Sequence, residues 1–355
     1  MADIKLSFAC TPYDRVLPLI SGEVKPDGIT LEYSRAPGGV PRIFYDQMKF
    51  HRYDVSEMSM SSYLRMRSIG LPYRMLPVFH NRNFSYTYIH IRKGAGIRQD
   101  HPEDLKGKRI GIGDYQQSLG LWTRGILQME WGVKSEDMIW YQSRGQHFSH
   151  TGASTEAGLE VPKNVKLNYT DTDFDTMFLK GELDAVTGLG LRGRRAGMGG
   201  YGAGGRAGGA GLERRSRSSA EPDVLTLFTD IPGEASRYFK KTGVYPPNHC
   251  TIVRESIVEE NPWVVHSLME AFEESKRLAI ERLQQQPPSL MVFGPHYLRA
   301  LDEVFGPDPF PYGIKANAKA IEMAQTFSVQ QQLTQKKQPL DEIFPKEAFY
   351  REEAE

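Results

Sequence analysis

Residues 54–70 read DVSEMSMSSYLRMRSIG. DVSEM has the look of a short buried strand, and SYLRMRSIG continues as a helix. Ser61 is placed to cap that helix and Gly70 to end it. At the join stand one carboxylate, Glu57, and four hydroxyls, Ser56, Ser59, Ser61 and Ser62. A strand that runs straight into a helix through so many hydrogen-bonding side chains is the repeating unit of an α/β protein, and the flanking sequence repeats it.

Upstream, IKLSFAC (4–10) and ITLEYSR (29–35) alternate apolar and polar residues as half-buried strands do, and PRIFYDQMKF (41–50) reads as a helix. Downstream, RMLPVFH (74–80) and SYTYIHIR (85–92) read as strands. The βαβ rhythm predicts a mostly parallel sheet with helices on its faces. A second unit begins at PEDLKGKRIGIG (102–113): a turn, a strand, the polar loop DYQQS, and the helix LGLWTRGILQMEW closed by Gly132. MIWYQS (138–143) and DAVTGL (184–189) add strands, and DVLTLFTD (223–230) and HCTIVRE (249–255) come after them. Asn261-Pro262 starts a long helix, with two more helices behind it. Between DAVTGL and DVLTLFTD, residues 188–219 are rich in Gly and Arg and nearly free of large apolar side chains, so about 190–219 is expected to be a disordered insertion.

The composition excludes several function classes. Lys and Arg number 44, as do Asp and Glu, so no net field recruits nucleic acid or an anionic membrane. No stretch approaches the roughly 20 apolar residues of a spanning helix, and MADIKLSFACTPYD lacks a signal-peptide pattern. Two cysteines, Cys10 and Cys250, make no disulfide framework and point to a cytoplasmic protein with free thiols. There is no phosphate-binding GxxxxGK[ST], no GxSxG elbow and no dinucleotide fingerprint. His147 and His150 form an HxxH pair, but no acidic or cysteine partner stands at ligand spacing, so a metal site is not expected.

PYDRVLPL (12–19), DVSEMSMSSYLRMR (54–67), LPVFHNRNF (76–84), residues 102–133, GELDAV (181–186), YFKKTGVYPPNH (238–249), NPWVVHSLMEAFEESKRLA (261–279) and PFPYGIKAN (309–317) occur in an order and spacing that resemble the 4,5-dihydroxyphthalate decarboxylases. These belong to the type 2 periplasmic-binding-protein fold. The resemblance implies two α/β lobes with the ligand in the cleft between them. Lobe one would be residues 1–94 plus 245–355, and lobe two residues 95–244. It also implies non-oxidative decarboxylation of a hydroxylated aromatic acid, 4,5-dihydroxyphthalate to 3,4-dihydroxybenzoate, without a cofactor. Two departures fall in lobe two: the Gly/Arg-rich insertion after DAVTGL, and RGQHFSHTGAS after MIWYQS. The rival readings on the same fold are a solute-binding protein that does no chemistry and a pyrimidine-precursor enzyme of thiamine synthesis. Neither nucleic acid nor membrane is an expected partner; the partner is the aromatic carboxylate itself, and self-association is left open.

In such a fold the ligand lies beyond the carboxyl ends of the strands, so Glu57, Ser59, Ser61 and Ser62 face an anion there. Decarboxylation requires anionic carboxylates to be held, a proton delivered to a ring carbon, and a phenol relieved of its proton. Arginine suits the carboxylates because its fork binds them bidentately. Arg15 and Arg82 follow strands, and Arg124 lies on the helix after DYQQS. Histidine suits the proton, and His80 and His249 stand at a strand end and a strand start, with Glu57 to pair with either. Tyr115, Gln116 and Trp122 are expected to face the cleft from lobe two, as hydrogen-bonding groups and a stacking surface.

Overall fold

A computed structural model describes residues 3–35, 39–145, 149–188, 223–288 and 291–349. The expected insertion and His147 lie outside these residues. Two mixed sheets carry the chain. The first is built from β1 (Ile4–Ala9), β2 (Ile29–Tyr33), β3 (Val55–Ser59) and β4 (Tyr73–Phe79). The second takes β5 (Ile89–Arg92), β6 (Arg109–Ile112), β7 (Ile139–Gln142), β8 (Lys166–Tyr169), β9 (Ala185–Thr187) and β10 (Val224–Thr226). The chain then returns to the first sheet as β11 (His249–Arg254), so the strand orders are β2-β1-β3-β11-β4 and β10-β5-β9-β6-β7-β8.

Within each sheet the strands joined by helices are parallel, as the βαβ rhythm predicts. The crossing strands run the other way: β11 is antiparallel to β3 and β4, and β5 to β9 and β10. This is a two-lobed α/β fold. Ile89–Arg92 pairs in the second sheet although the sequence reading leaves those residues in lobe one.

Three local readings change. The helix after β3 spans Met60–Arg67, and Ser59 caps it rather than Ser61, its Oγ accepting from Ser62 N at 3.5 Å. Ser59 keeps an extended backbone (φ −64°, ψ 123°), so the strand runs one residue past Met58 and the helix opens at Met60, two residues before the expected Ser62. Residues 85–92 are not one strand: Ser85–Tyr88 wind into a 3₁₀ turn, held by Thr87 Oγ1 donating to Phe84 O at 2.8 Å, and only Ile89–Arg92 is extended. A short helix, His150–Glu156, and strand β8 occupy a stretch from which sequence patterning made no element.

The helix Ser118–Trp131 ends at Gly132, whose φ of 63° is the left-handed conformation that glycine adopts without strain. It packs across the helix Ile314–Gln330 at Gly125, where a Cβ would stand 2.1 Å from the Phe327 ring. Any larger residue there would drive the two helices apart. This contact and the Trp122 indole, which donates to Pro247 O at 2.7 Å, fasten the second sheet's leading helix to the segment that feeds β11.

Candidate active site

Register explains why a carboxylate and an imidazole meet. β11 pairs with β3 so that Thr251 is opposite Glu57 and His249 is opposite Ser59. Side chains two apart on a strand share a face, so Glu57 and His249 are diagonal neighbours on one surface of the sheet. Their contact is short: His249 Nδ1 lies 2.6 Å from Glu57 Oε1. On the other flank β1 delivers the loop that comes after it, and Thr11 N donates to Glu57 Oε2 at 2.8 Å. The Tyr13 hydroxyl donates to Oε1 at 2.6 Å, and the Cys10 thiol approaches Oε2 at 3.7 Å.

Glu57 is fully buried, and burial alone would push its carboxyl up. The hydrogen bond from His249, the charges of His249 and His80, and the Tyr13 hydroxyl outweigh it and hold Glu57 down at about 2. The carboxylate is therefore ionised at neutral pH and accepts only. It fixes the His249 proton on Nδ1, which leaves Nε2 on the opposite edge of the ring free to exchange a proton with a bound molecule. His249 keeps 14% of its side chain exposed, whereas Glu57 has none.

His80 is close by but differently employed. Its ring is buried and lies parallel to Tyr13 at 5.7 Å, with Nε2 2.6 Å from Thr251 Oγ1 and Nδ1 without a partner among the described residues. Burial pushes it down to about 4, with the Arg15 and His249 charges adding to the effect against Glu57. A neutral, enclosed imidazole suits a packing role behind the Glu57–His249 pair.

The serines form the join between the lobes. Ser59 Oγ meets Ser118 Oγ at 2.9 Å, and Ser118 Oγ also accepts from Ser61 N at 3.0 Å. Ser62 Oγ meets His150 Nδ1 at 3.0 Å. The hydroxyls that the sequence assigns to an anion thus face the first turn of the helix Ser118–Trp131 and the start of the helix His150–Glu156. Ser61 Oγ, fully buried, has no partner among the described residues.

The three arginines are engaged by acceptors of the chain itself. Arg82 directs Nη1 to Tyr245 O at 2.9 Å and Nη2 to Pro311 O at 2.8 Å and Asn317 Oδ1 at 2.5 Å. Its fork is filled by acceptors from the chain itself. Arg124 is fully buried, bound to Gln331 Oε1 and Tyr115 O at 2.8 Å, and stacked 3.8 Å over the Tyr115 ring. Arg15 lies 3.7 Å over Phe310, with Nη2 on His80 O at 2.7 Å and Nη1 on Asp14 at 2.9 Å. All three act as braces.

Tyr115 and Trp122 do not form a stacking surface: Tyr115 is enclosed between Arg124 and Trp140, and Trp122 packs edge-on against Phe327. Gln116 is buried too, its Oε1 accepting from Ser154 Oγ at 2.5 Å. Each lies at or behind the first turn of its helix, inside the lobe.

Sequence reasoning missed Tyr13, Phe44, Ser118, Arg144 and His150. Tyr13 was within reach, two residues before Arg15 in TPYDR. Arg144 stands after β7 and has 28% of its side chain exposed; its nearest carboxylate, buried Asp114, is 3.9 Å away. Among the described residues no group of three or more His, Cys, Asp or Glu could hold a metal, and no helix is long and apolar enough to cross a membrane.

No family model matches the chain. It is 30% identical over 330 residues to a 4,5-dihydroxyphthalate decarboxylase from Comamonas testosteroni, covering 91% of this chain and 90% of that one. It is 36% identical over 191 residues to a 4,5-dihydroxyphthalate decarboxylase from Pseudomonas putida, covering 53% of this chain and 71% of that one. Among solved structures, a periplasmic sulfonate-binding protein SsuA from Methylobacillus flagellatus superposes with a TM-score of 0.52 at 11% identity, over 99% of this chain and 94% of that one. That likeness concerns the fold, which is periplasmic-binding-protein-like.

Proposed function

The chain belongs to the 4,5-dihydroxyphthalate decarboxylase family, and from that premise we propose that it is a carboxy-lyase converting 4,5-dihydroxyphthalate, or a closely related ring acid, to 3,4-dihydroxybenzoate and carbon dioxide. The observation that carries the chemistry is the Glu57–His249 contact of 2.6 Å at the mouth of the first sheet.

Loss of carbon dioxide leaves an electron pair on a ring carbon. A para hydroxyl offers the way round: as it gives up its proton to a base, electrons move into the ring, and the carbon bearing the carboxylate takes a proton. The C–C bond then breaks, carbon dioxide leaves, and the phenolate that remains takes its proton back as aromaticity returns. The reaction consumes one proton, which ends on carbon. His249 supplies it from Nε2, and the ionised Glu57 stabilises the imidazolium before transfer and holds the ring in place. Tyr13 and Thr11 position Glu57, and His80 backs them.

Arg144, not Arg82 or Arg124, serves the departing side of the substrate. It stands after β7 with a partly exposed guanidinium and, among the described residues, only a distant ion-pair partner, which suits its fork to a carboxylate. The hydroxyls of Ser59, Ser61 and Ser62 and the first-turn amides of the helix Ser118–Trp131 complete an anion-friendly rim. The lobes are proposed to divide between β4 and β5 and to rejoin before β11. A cytoplasmic location accords with two free, buried cysteines.

Incubation with hydroxylated benzoic and phthalic acids, with carbon dioxide and product mass monitored, tests the proposal. Release of carbon dioxide from 4,5-dihydroxyphthalate is the expected result. A ring acid that binds and is recovered unchanged after hours would favour a solute-binding role.

A further inference from the structure

One histidine on the cleft has no role in the proton step. His150 comes from the HFSH stretch, residues 147–150. It is 2% exposed, its backbone N–H donates to Asp114 at 2.6 Å, and its Nδ1 meets Ser62 Oγ across the cleft. Its Nε2 is buried without a partner among the described residues. A buried polar atom without a partner calls for an explanation, and a bound group is one that would satisfy it. The packing shows where that group would sit. The Phe44 ring, 2% exposed, meets the His249 ring edge to face at 4.9 Å and the His150 ring at 5.4 Å. Both imidazoles are pinned at Nδ1, one by Glu57 and the other by Ser62. Each therefore turns Nε2 away from its anchor, and Phe44 supplies an apolar wall shared by the two.

Resting on the decarboxylase reading above, we propose that His150 is the specificity-determining residue for the hydroxylated edge of the ring, its Nε2 accepting a hydrogen bond from a substrate phenol while His249 faces the carbon that loses its carboxylate. In the tautomer in which Nδ1 donates to Ser62 Oγ, Nε2 is an acceptor, the state a phenol requires. Burial keeps the ring neutral, pushing it down to about 4. A site built to pair a hydroxyl rejects the analogue that lacks it, because its own polar atom then stays unsatisfied.

Equilibrium binding of two unreactive probes, 3,4-dihydroxybenzoate and benzoate, tests this without depending on turnover. Wild type should prefer the dihydroxy acid by about tenfold or more. His150→Ala should bring the two affinities together by weakening only the dihydroxy acid, and His150→Gln, which retains an acceptor, should recover part of the preference. Imidazole ¹⁵N spectra of the wild-type protein give a second measure: the His150 ring nitrogens should shift with 3,4-dihydroxybenzoate and not with benzoate. Equal affinities in wild type, a preference that survives His150→Ala, or a His150 signal that ignores the hydroxyls would each overturn the assignment. Because the probes do not react, a wild-type protein that shows the preference yet fails to decarboxylate would refute the function and leave the recognition intact.

Discussion

Replacing Glu57 by Gln conserves shape and removes the charge, and the hydrogen bonds around this side chain set the cost. The carboxylate accepts from Tyr13 and His249 on Oε1, and from Thr11 N and the Cys10 thiol on Oε2. A glutamine has one acceptor oxygen. If it faces Tyr13 and His249, its NH₂ confronts the Thr11 amide donor; if it faces Thr11, the NH₂ confronts the Nδ1–H of His249. Either way a buried donor loses its acceptor, at about 1–3 kcal/mol, and charge-assisted bonds become neutral ones. We expect a loss of about 3 kcal/mol in urea unfolding. The catalytic effect should be larger. Without the anion nothing stabilises the imidazolium, so kcat should fall by roughly 10²–10⁴. Substrate binding should change little, since Glu57 is fully buried. The assay is steady-state decarboxylation of 4,5-dihydroxyphthalate on folded protein. A Glu57→Gln enzyme with wild-type kcat would refute the claim that this carboxylate sets the state of His249.

Arg82→Ala should leave KM and kcat within about twofold of wild type. It should lower stability by about 1–3 kcal/mol, because Tyr245 O, Pro311 O and Asn317 lose their donor; melting and kinetics measured together check both halves. Arg144→Ala should instead raise KM about tenfold with little change in the unfolding midpoint, as expected when a bidentate carboxylate contact is removed. His80 and His150 are both held at about 4 in the fold, against about 6.5 when unfolded. Between those values the unfolded chain binds protons that the folded one refuses, so stability rises with pH across that window and falls as pH drops from 6.5 to 4. Each contributes up to about 3 kcal/mol at 1.36 kcal/mol per unit, and Glu57 adds a further loss from about 4.5 down to 2. Urea midpoints from pH 4 to 8 would measure the slope.

Most strands were legible, IKLSFA from the alternation of a half-buried strand and VSEMS as a short run buried at every position, although β8 was not. The Glu57–His249 pair was legible as two candidates, though their contact needed the β3–β11 register, which joins residues 192 positions apart. The arginines misled for a physical reason. Strand-end placement is a local property, but the acceptors that occupy Arg82 and Arg124 are Asn317 and Gln331, 235 and 207 residues away. Tyr115 and Trp122 looked like a stacking surface because aromatic residues near a loop suit one, and only the packing of Trp140 and Phe327 shows them enclosed. Arg144 and His150 lie where the sequence departs from the resemblance, and there no pattern stood in for the structure.

The most direct test of the proton route is the rate of His249→Asn in deuterated water. Asparagine keeps a hydrogen bond to Glu57 but cannot titrate near neutral pH. The wild-type enzyme should yield 3,4-dihydroxybenzoate carrying one deuterium at the carbon that lost its carboxylate. In the variant the same product should form roughly 10²–10⁴ times more slowly, with 4,5-dihydroxyphthalate still bound at near wild-type affinity. A folded His249→Asn protein that makes the deuterated product at the wild-type rate would contradict the assignment of His249 as the proton donor.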